Sequence, residues 1–181
     1  MVDPLDIKED LLILKELNKL PPSYFIFNDV CLRLSRPVRY RKTERYVESA
    51  RINYIVIGPT GIFIIGFKDG GVELLKDVDI AGLIFYIRTV NWFHGKLPIY
   101  NVAVRIKKVP KIKYGFIYHL TAPQLRWFIL RREGRLSKRK IGKITSRLSR
   151  ITVSKKTFRK KNILLCVMVF FTIICFYFSL F

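Results

Sequence analysis

Two apolar runs joined by a short turn dominate the first half of the chain. Residues 52–57 and 62–68 are rich in Ile, Val, Phe and Tyr, and a Gly-Pro-Thr-Gly turn at 58–61 separates them. Runs of this composition bounded by Gly and Pro predict strands, and Pro59 presets the backbone for a tight turn. Neither run alternates cleanly between polar and apolar residues. We therefore expect a hairpin that is buried on both faces, at the centre of a covered sheet.

Apolar residues recur every three or four positions in three other segments, which is the pattern of a helix with one buried face. These predicted helices cover residues 5–20, 121–132 and 137–150. Residues 24–34 predict a first strand that bends near Asn28-Asp29. Residues 72–90 show neither pattern clearly, and we expect further strand or irregular structure there.

The hairpin geometry brings three unusual positions to one face. If the turn closes symmetrically, Ile57 lies opposite Ile62, and counting outward puts Asn53 opposite Gly66. Lys68 follows Gly66 by two residues and therefore shares its face. Two carboxylates at the first two positions would make a site for a hard cation, with the lysine beside it. Here those two positions hold an amide and a glycine.

This hairpin resembles that of the nuclease-related (NERD) domain, a member of the restriction-endonuclease-like nuclease superfamily. In that family the first strand carries an Asp and the second strand carries Glu-x-Lys. Lys68 matches the lysine, whereas Asn53 stands in place of the Asp and Gly66 in place of the Glu. The family's N-terminal helix also carries an acid, which Asp10 matches best, with Glu9 as the alternative. The resemblance implies an α/β fold with a restriction-endonuclease-like central mixed sheet flanked by helices.

Downstream of the hairpin the chain departs further from the family. The resemblance places the start of the family's next helix over residues 96–108, where Asn101 is kept and Arg105 stands in place of a Gln. Pro110 ends this predicted helix almost at once. Little room is left for the remaining helix and strand of the family, so we expect a shortened core.

Charge and hydropathy suggest how the chain is organised. The net charge of the 181 residues is +21, and residues 131–161 hold fourteen Lys or Arg against a single acid, Glu133. Residues 163–181 carry no charge and would span about 28 Å as a helix, close to the apolar thickness of a bilayer. The basic run before them predicts that the rest of the chain faces the cytoplasm. We expect a nuclease-related core, a closing basic helix pair, a basic juxtamembrane linker and a single C-terminal transmembrane anchor, over residues 1–120, 121–150, 151–162 and 163–181.

Residues 35–48 interleave basic residues with tyrosines, a composition that can grip phosphates and stack on bases. The candidate nucleic-acid contacts are Arg36, Arg39, Arg41, Lys42 and Arg45. The alternative is an exposed edge strand with a solvated basic face.

Three functional hypotheses stay open. The favoured one is a membrane-anchored, nuclease-like domain that has lost catalysis, needs no cofactor and binds DNA or RNA through its basic surfaces. The second is an active nuclease, which would need Mg²⁺ held by acidic residues. The third is a membrane-associated scaffold whose basic charge serves lipid binding and topology. The two missing hairpin acids argue against the second hypothesis.

Overall fold

The computed structural model describes residues 4–41, 43–67, 71–90, 96–105 and 116–151. In chain order the elements are α1 (Pro4–Leu17), β1 (Phe25–Arg39), β2 (Tyr46–Gly58), β3 (Gly61–Phe67), α2 (Gly71–Val90), β4 (Ile99–Arg105), β5 (Ile117–Thr121) and α3 (Ala122–Leu130). Residues 138–151 form a fourth helix, α4. The chain divides into two compact units, Met1–Gly142 and Lys143–Phe181. The packing of the sheet and its helices belongs to the first unit.

The five strands form one mixed sheet in the order β1-β2-β3-β4-β5. The first three strands are antiparallel neighbours, and β3, β4 and β5 run parallel. Ile13 of α1 and Leu125 of α3 belong to the apolar core on one face of the sheet. Leu75 and Val78 of α2 pack with Ala103 on the other face. The predicted α/β class, with a mixed sheet flanked by helices, is therefore confirmed.

The hairpin at the centre of the sheet has the predicted register. Ile57 pairs with Ile62, and Tyr54 pairs with Ile65. Apart from the half-buried Pro59, every residue from 54 to 66 is buried. The expectation of a hairpin covered on both faces is confirmed, and it follows from strands whose neighbours and helices exclude water on each side.

The turn of this hairpin is fixed by contacts from distant parts of the chain. The ring of Tyr24 fills the space that a side chain at position 58 would need, lying 2.1 Å from where a Cβ on Gly58 would stand. The Tyr24 hydroxyl also hydrogen-bonds to Thr60 Oγ1 at 3.0 Å. The Pro59 carbonyl accepts two backbone hydrogen bonds from the segment after α3, at 2.8 and 2.9 Å. Because these contacts fix the turn, they also stabilise the register between β2 and β3.

The predicted helices over residues 5–20, 121–132 and 137–150 are confirmed as α1, α3 and α4. The predicted bend in the first strand is also present, since Asp29 has a left-handed φ of 50°. β1 then continues to Arg39, so part of the expected connector over residues 35–48 is strand.

Two predictions between the hairpin and the closing helices are wrong. Residues 72–90 are not strand or irregular structure but belong to α2, a helix of 20 residues. The helix predicted over residues 96–108 does not begin where expected, because residues 99–105 form β4, buried between both apolar cores. The shortened core was expected because that helix would end at Pro110, and the shortening itself stays a prediction.

The predicted transmembrane anchor over residues 163–181 and almost all of the linker before it lie outside the described residues. Within the described part of the chain, no helix has both the length and the apolar composition needed to cross a membrane.

Candidate functional site

A cleft of about 900 Å³ lies where β2 continues past the end of β3. The ladder between the two strands runs from Tyr54 to Gly58 on β2. The earlier half of β2, residues 46–53, pairs with β1 on one side and lines the cleft on the other. Residues of α1 and α2, among them Leu11 and Leu74, complete its walls.

Three of the four predicted catalytic positions line this cleft, namely Asp10, Asn53 and Gly66. The fourth, Lys68, lies outside the described residues, as does the side chain of Glu9, the alternative acid on the first helix. The cleft therefore brings together three of the positions named from the sequence. The contacts that each position makes decide whether it can bind a metal.

The space beside Gly66 is filled by α2. A Cβ built on Gly66 would stand 2.4 Å from Val78 Cγ2 and 3.4 Å from Leu74 Cδ1. Real Cβ contacts are not as short as the first distance, and the Val78 side chain has little freedom to turn away because β-branched residues are stiff in helices. A glutamate at this position would therefore collide with α2 before its carboxylate reached the cleft.

Asn53 already uses its side-chain oxygen within the hairpin. Its Oδ1 accepts a hydrogen bond from the Phe67 backbone N–H at 3.3 Å, at the point where β2 and β3 separate. An amide oxygen is neutral and binds a hard cation more weakly than a carboxylate does. The Asn53 side chain thus stabilises the end of the ladder between β2 and β3.

Asp10 lines the cleft from α1, where Tyr54 binds it. Its carboxylate accepts a hydrogen bond from the hydroxyl of Tyr54. Tyr54 follows Asn53 directly in β2, so the two side chains point to opposite faces. Burial, and then the hydrogen bond with Asp10, raise the pKa of the Tyr54 hydroxyl. One oxygen of the Asp10 carboxylate is therefore engaged by a buried tyrosine.

These contacts do not fit a Mg²⁺ site. Where a nuclease-related domain would have two hairpin acids, this cleft offers a hydrogen-bonded amide and a glycine covered by a valine. Among the residues that the structure describes, no group of three His, Cys, Asp or Glu side chains is arranged to hold a metal ion.

The basic segment forms the far end of the β1–β2 ribbon, and this end is bound to α2. Arg41 makes a salt bridge to Asp79 of α2 at 2.8 Å, and the hydroxyl of buried Tyr40 donates to the same carboxylate at 2.6 Å. Arg39 Nε donates to the carbonyl of Thr43 at 2.7 Å. Arg39 and Arg41 thus use hydrogen-bond donors in contacts that stabilise the ribbon.

Of the candidate contacts that the structure describes, Arg36 and Arg45 remain available. Both are exposed, and neither makes a side-chain hydrogen bond or ion pair within the described part of the chain. Arg45 also lines the cleft. Lys42 lies outside the described residues. The ribbon therefore presents two guanidinium groups that are unpaired among the described residues, and the Arg45 guanidinium is the one that lines the cleft.

Sequence reasoning missed the two residues that organise these contacts, Tyr54 and Asp79. A buried tyrosine hydroxyl needs a hydrogen-bond partner, so Tyr54 within an apolar strand was a signal. Its partner lies 44 residues away and could not be identified without the fold. Asp79 belongs to the segment whose helix was not predicted.

Comparison of the chain with protein-family models, with curated proteins and with solved structures finds no match in any of the three. The resemblance to nuclease-related domains therefore stays a prediction, carried by the residues of the hairpin.

Proposed function

We propose that this chain is a membrane-anchored domain of the nuclease-related, restriction-endonuclease-like type that binds nucleic acid and does not cleave it. The observation that carries this proposal is the Gly66 position, where Val78 of α2 occupies the space of the family's glutamate. The central hairpin in a mixed sheet, with helices on both faces, supports the fold assignment.

Three features argue against cleavage. Hydrolysis by this family type needs a divalent cation held by carboxylates, which lowers the pKa of a bound water. Asn53 contributes no charge, Gly66 contributes no side chain, and one oxygen of Asp10 is hydrogen-bonded to Tyr54. The domain accordingly needs no metal cofactor.

Two features support nucleic-acid binding. The chain carries a net charge of +21, and phosphates attract such a surface regardless of base sequence. The ribbon beside the cleft presents Arg36 and Arg45, and the contacts of Tyr40 and Arg41 with Asp79 hold it rigid. A rigid ribbon binds phosphates with less loss of side-chain and backbone entropy than a flexible loop does.

The membrane assignment in this proposal rests on residues 163–181, which carry no charge, and on the basic run that precedes them. This charge arrangement favours a cytoplasmic location for the domain.

Binding is tested with the full chain in mild detergent, by fluorescence anisotropy of labelled duplex DNA, single-stranded DNA and RNA over a series of salt concentrations. The Arg36→Gln/Arg45→Gln variant should make the slope of log binding constant against log salt concentration for duplex DNA less steep by roughly 1.8. This is the change expected for the loss of about two phosphate contacts. Lys15→Gln is the control, because Lys15 is an exposed cation on α1, away from the ribbon. Absence of binding at low salt would contradict the proposal and favour a membrane scaffold.

Cleavage is tested on the same substrates with Mg²⁺ and with Mn²⁺. The natural chain should leave every substrate intact, and cleavage by it would overturn the proposal. The informative gain-of-function variant is Asn53→Asp/Gly66→Glu/Val78→Ala, since the third substitution makes room for the second.

A further inference from the structure

The outer face of α3 combines a large exposed aromatic side chain with arginines. Ala122, Leu125 and Ile129 bury one side of this helix. On the other side Trp127 is 69% exposed and Leu130 is 37% exposed. A tryptophan with this exposure is unusual, because its ring usually contributes to a core or an interface.

Four exposed residues of α3 and the residue that follows it lie along one stripe. Pro123, Arg126, Trp127, Leu130 and Arg131 are all exposed, and their spacing of three and four positions places them side by side. We refer to these five residues as the α3 outer face. The Arg131 guanidinium lies 5.9 Å from the centre of the Trp127 ring, so aromatic and cationic groups meet within it.

The α3 outer face is rigidly attached to the sheet. Just beyond the helix, Arg132 lies against three aromatic rings, 4.9 Å from the centre of Tyr100, 4.8 Å from Tyr118 and 4.4 Å from Phe128. At the start of the helix, Gln124 Oε1 accepts the Thr121 backbone N–H at 3.0 Å. Both ends of the helix are thus fixed, and the exposure of Trp127 is not the consequence of a loose terminus.

Charge distinguishes this region from the rest of the domain. Residues 121–142 contain seven Lys or Arg and a single acid, Glu133, which pairs with Arg135 at 3.4 Å. A surface with so little negative charge is complementary to a polyanion, and the tryptophan and leucine add an apolar component.

We propose that the α3 outer face docks on the surface of an anionic bilayer, with Trp127 at the level of the lipid headgroups and Arg126 and Arg131 bound to lipid phosphates. Tryptophan favours this zone because its ring is apolar and its N–H is polar. Arginine near an anionic leaflet gains about a fivefold preference for the docked state per residue.

This docking rests on the anchor in the proposed function. α3 covers one face of the sheet and α2 covers the other. Because the ribbon is bound to α2 through Asp79, docking through α3 leaves the ribbon free for nucleic acid.

A lipid surface fits the α3 outer face better than nucleic acid does. Leu130 and Pro123 flank Trp127 along the stripe and add aliphatic surface. Stacking on bases uses the aromatic ring alone, whereas the headgroup region accommodates both the ring and its aliphatic neighbours.

Trp127 reports directly on this docking. The chain has two tryptophans, so the full chain carrying Trp92→Phe emits from Trp127 alone. This protein is reconstituted into vesicles of phosphatidylcholine, with or without phosphatidylserine, that contain lipids brominated near the top of the acyl chain. Quenching of Trp127 should be strong only with phosphatidylserine. Arg126→Gln and Arg131→Gln should each lower the ratio of docked to undocked protein about fivefold.

Lys76→Gln is the matched control, because Lys76 is an exposed cation on α2, on the other face of the sheet; it should leave quenching unchanged. Equal quenching with and without phosphatidylserine would overturn the inference. So would protection of Trp127 from acrylamide by a duplex oligonucleotide in the absence of anionic lipid, which would assign the face to nucleic acid. Alkaline carbonate extraction tests the anchor separately. Retained but unquenched protein refutes only the docking, whereas extracted protein refutes the anchor as well.

Discussion

Gly66→Ala tests directly whether α2 fills the space that a glutamate side chain at position 66 would need. The substitution adds one methyl group, 2.4 Å from Val78 Cγ2. The backbone of Gly66 does not have a left-handed φ, so alanine meets no conformational barrier there. On backbone entropy alone, alanine should stabilise the strand by about 0.5–1 kcal/mol.

The steric term should exceed this gain. Val78 is 2% exposed, and forcing an extra methyl group into a packed core typically costs about 1–3 kcal/mol. We therefore expect Gly66→Ala to lower the free energy of unfolding by about 1–2 kcal/mol. Val78→Ala alone should cost about 2 kcal/mol, because it removes two buried methyl groups and leaves a cavity. In that variant the methyl group of Gly66→Ala fills the cavity, so its effect should reverse and become stabilising by up to about 1 kcal/mol.

Urea unfolding of the full chain in mild detergent, followed by far-UV circular dichroism, measures all four members of this cycle. Gly142→Ala is the control. Gly142 lies in helix α4, and a Cβ there would have no neighbour within 4 Å, so alanine should stabilise by about 0.5–1 kcal/mol. If Gly66→Ala behaves like Gly142→Ala, α2 does not occupy the Gly66 position, and the steric argument against a nuclease site is refuted.

Two further contacts give measurable effects. Tyr54→Phe removes the hydrogen bond to Asp10 and should cost about 1.5 kcal/mol. Folding raises the pKa of Tyr54 above its ordinary value of 10.0. The natural chain should therefore be more stable than Tyr54→Phe by the full amount below pH 10. Above pH 10 this difference in unfolding free energy should shrink by at most about 1.4 kcal/mol per pH unit. A constant difference between the two unfolding curves at all pH values would contradict this. Arg132→Ala should cost about 1–2 kcal/mol through its three ring contacts. Arg131→Ala, whose guanidinium lies over the exposed ring of Trp127, should cost less than about 0.5 kcal/mol; equal losses in urea unfolding would contradict the difference.

The hairpin could be predicted because its determinants are local. Glycines at both ends of the turn, a proline within it and long apolar runs specify a two-strand pairing without reference to the rest of the chain. Once Ile57 and Ile62 are paired, the period of two along each strand assigns every other position to a face. The closing helices were predictable for a similar reason, since proline and polar residues mark their starts.

The helix α2 was missed because its composition suggests a strand. Seven of its residues are Val, Ile or Phe, and β-branched and aromatic residues are enriched in strands. The helical signal lies in Leu74, Val78 and Phe85, which are buried at spacings of four and seven. Tertiary packing of that face, rather than local propensity, makes the segment a helix.

The contacts at the cleft could not be predicted because they join distant segments. Tyr54 and Asp10 are separated by 44 residues, and Tyr40 and Asp79 by 39. Hairpin spacing and the family resemblance named three residues that line the cleft. They could not show that the acid on α1 is hydrogen-bonded to the strand residue next to Asn53.

These contacts change what the restoration of two acids would test. If the glutamate were simply absent, a void of its size would remain beside Gly66, and Asn53→Asp/Gly66→Glu would fill it. Val78 and Leu74 occupy that space instead, so the double substitution should unfold the hairpin whether or not its register matches that of a nuclease. Its failure would therefore not bear on the family resemblance. Only the variant that also carries Val78→Ala separates a wrong register, which leaves a folded and inactive protein, from a correct one, which gains cleavage.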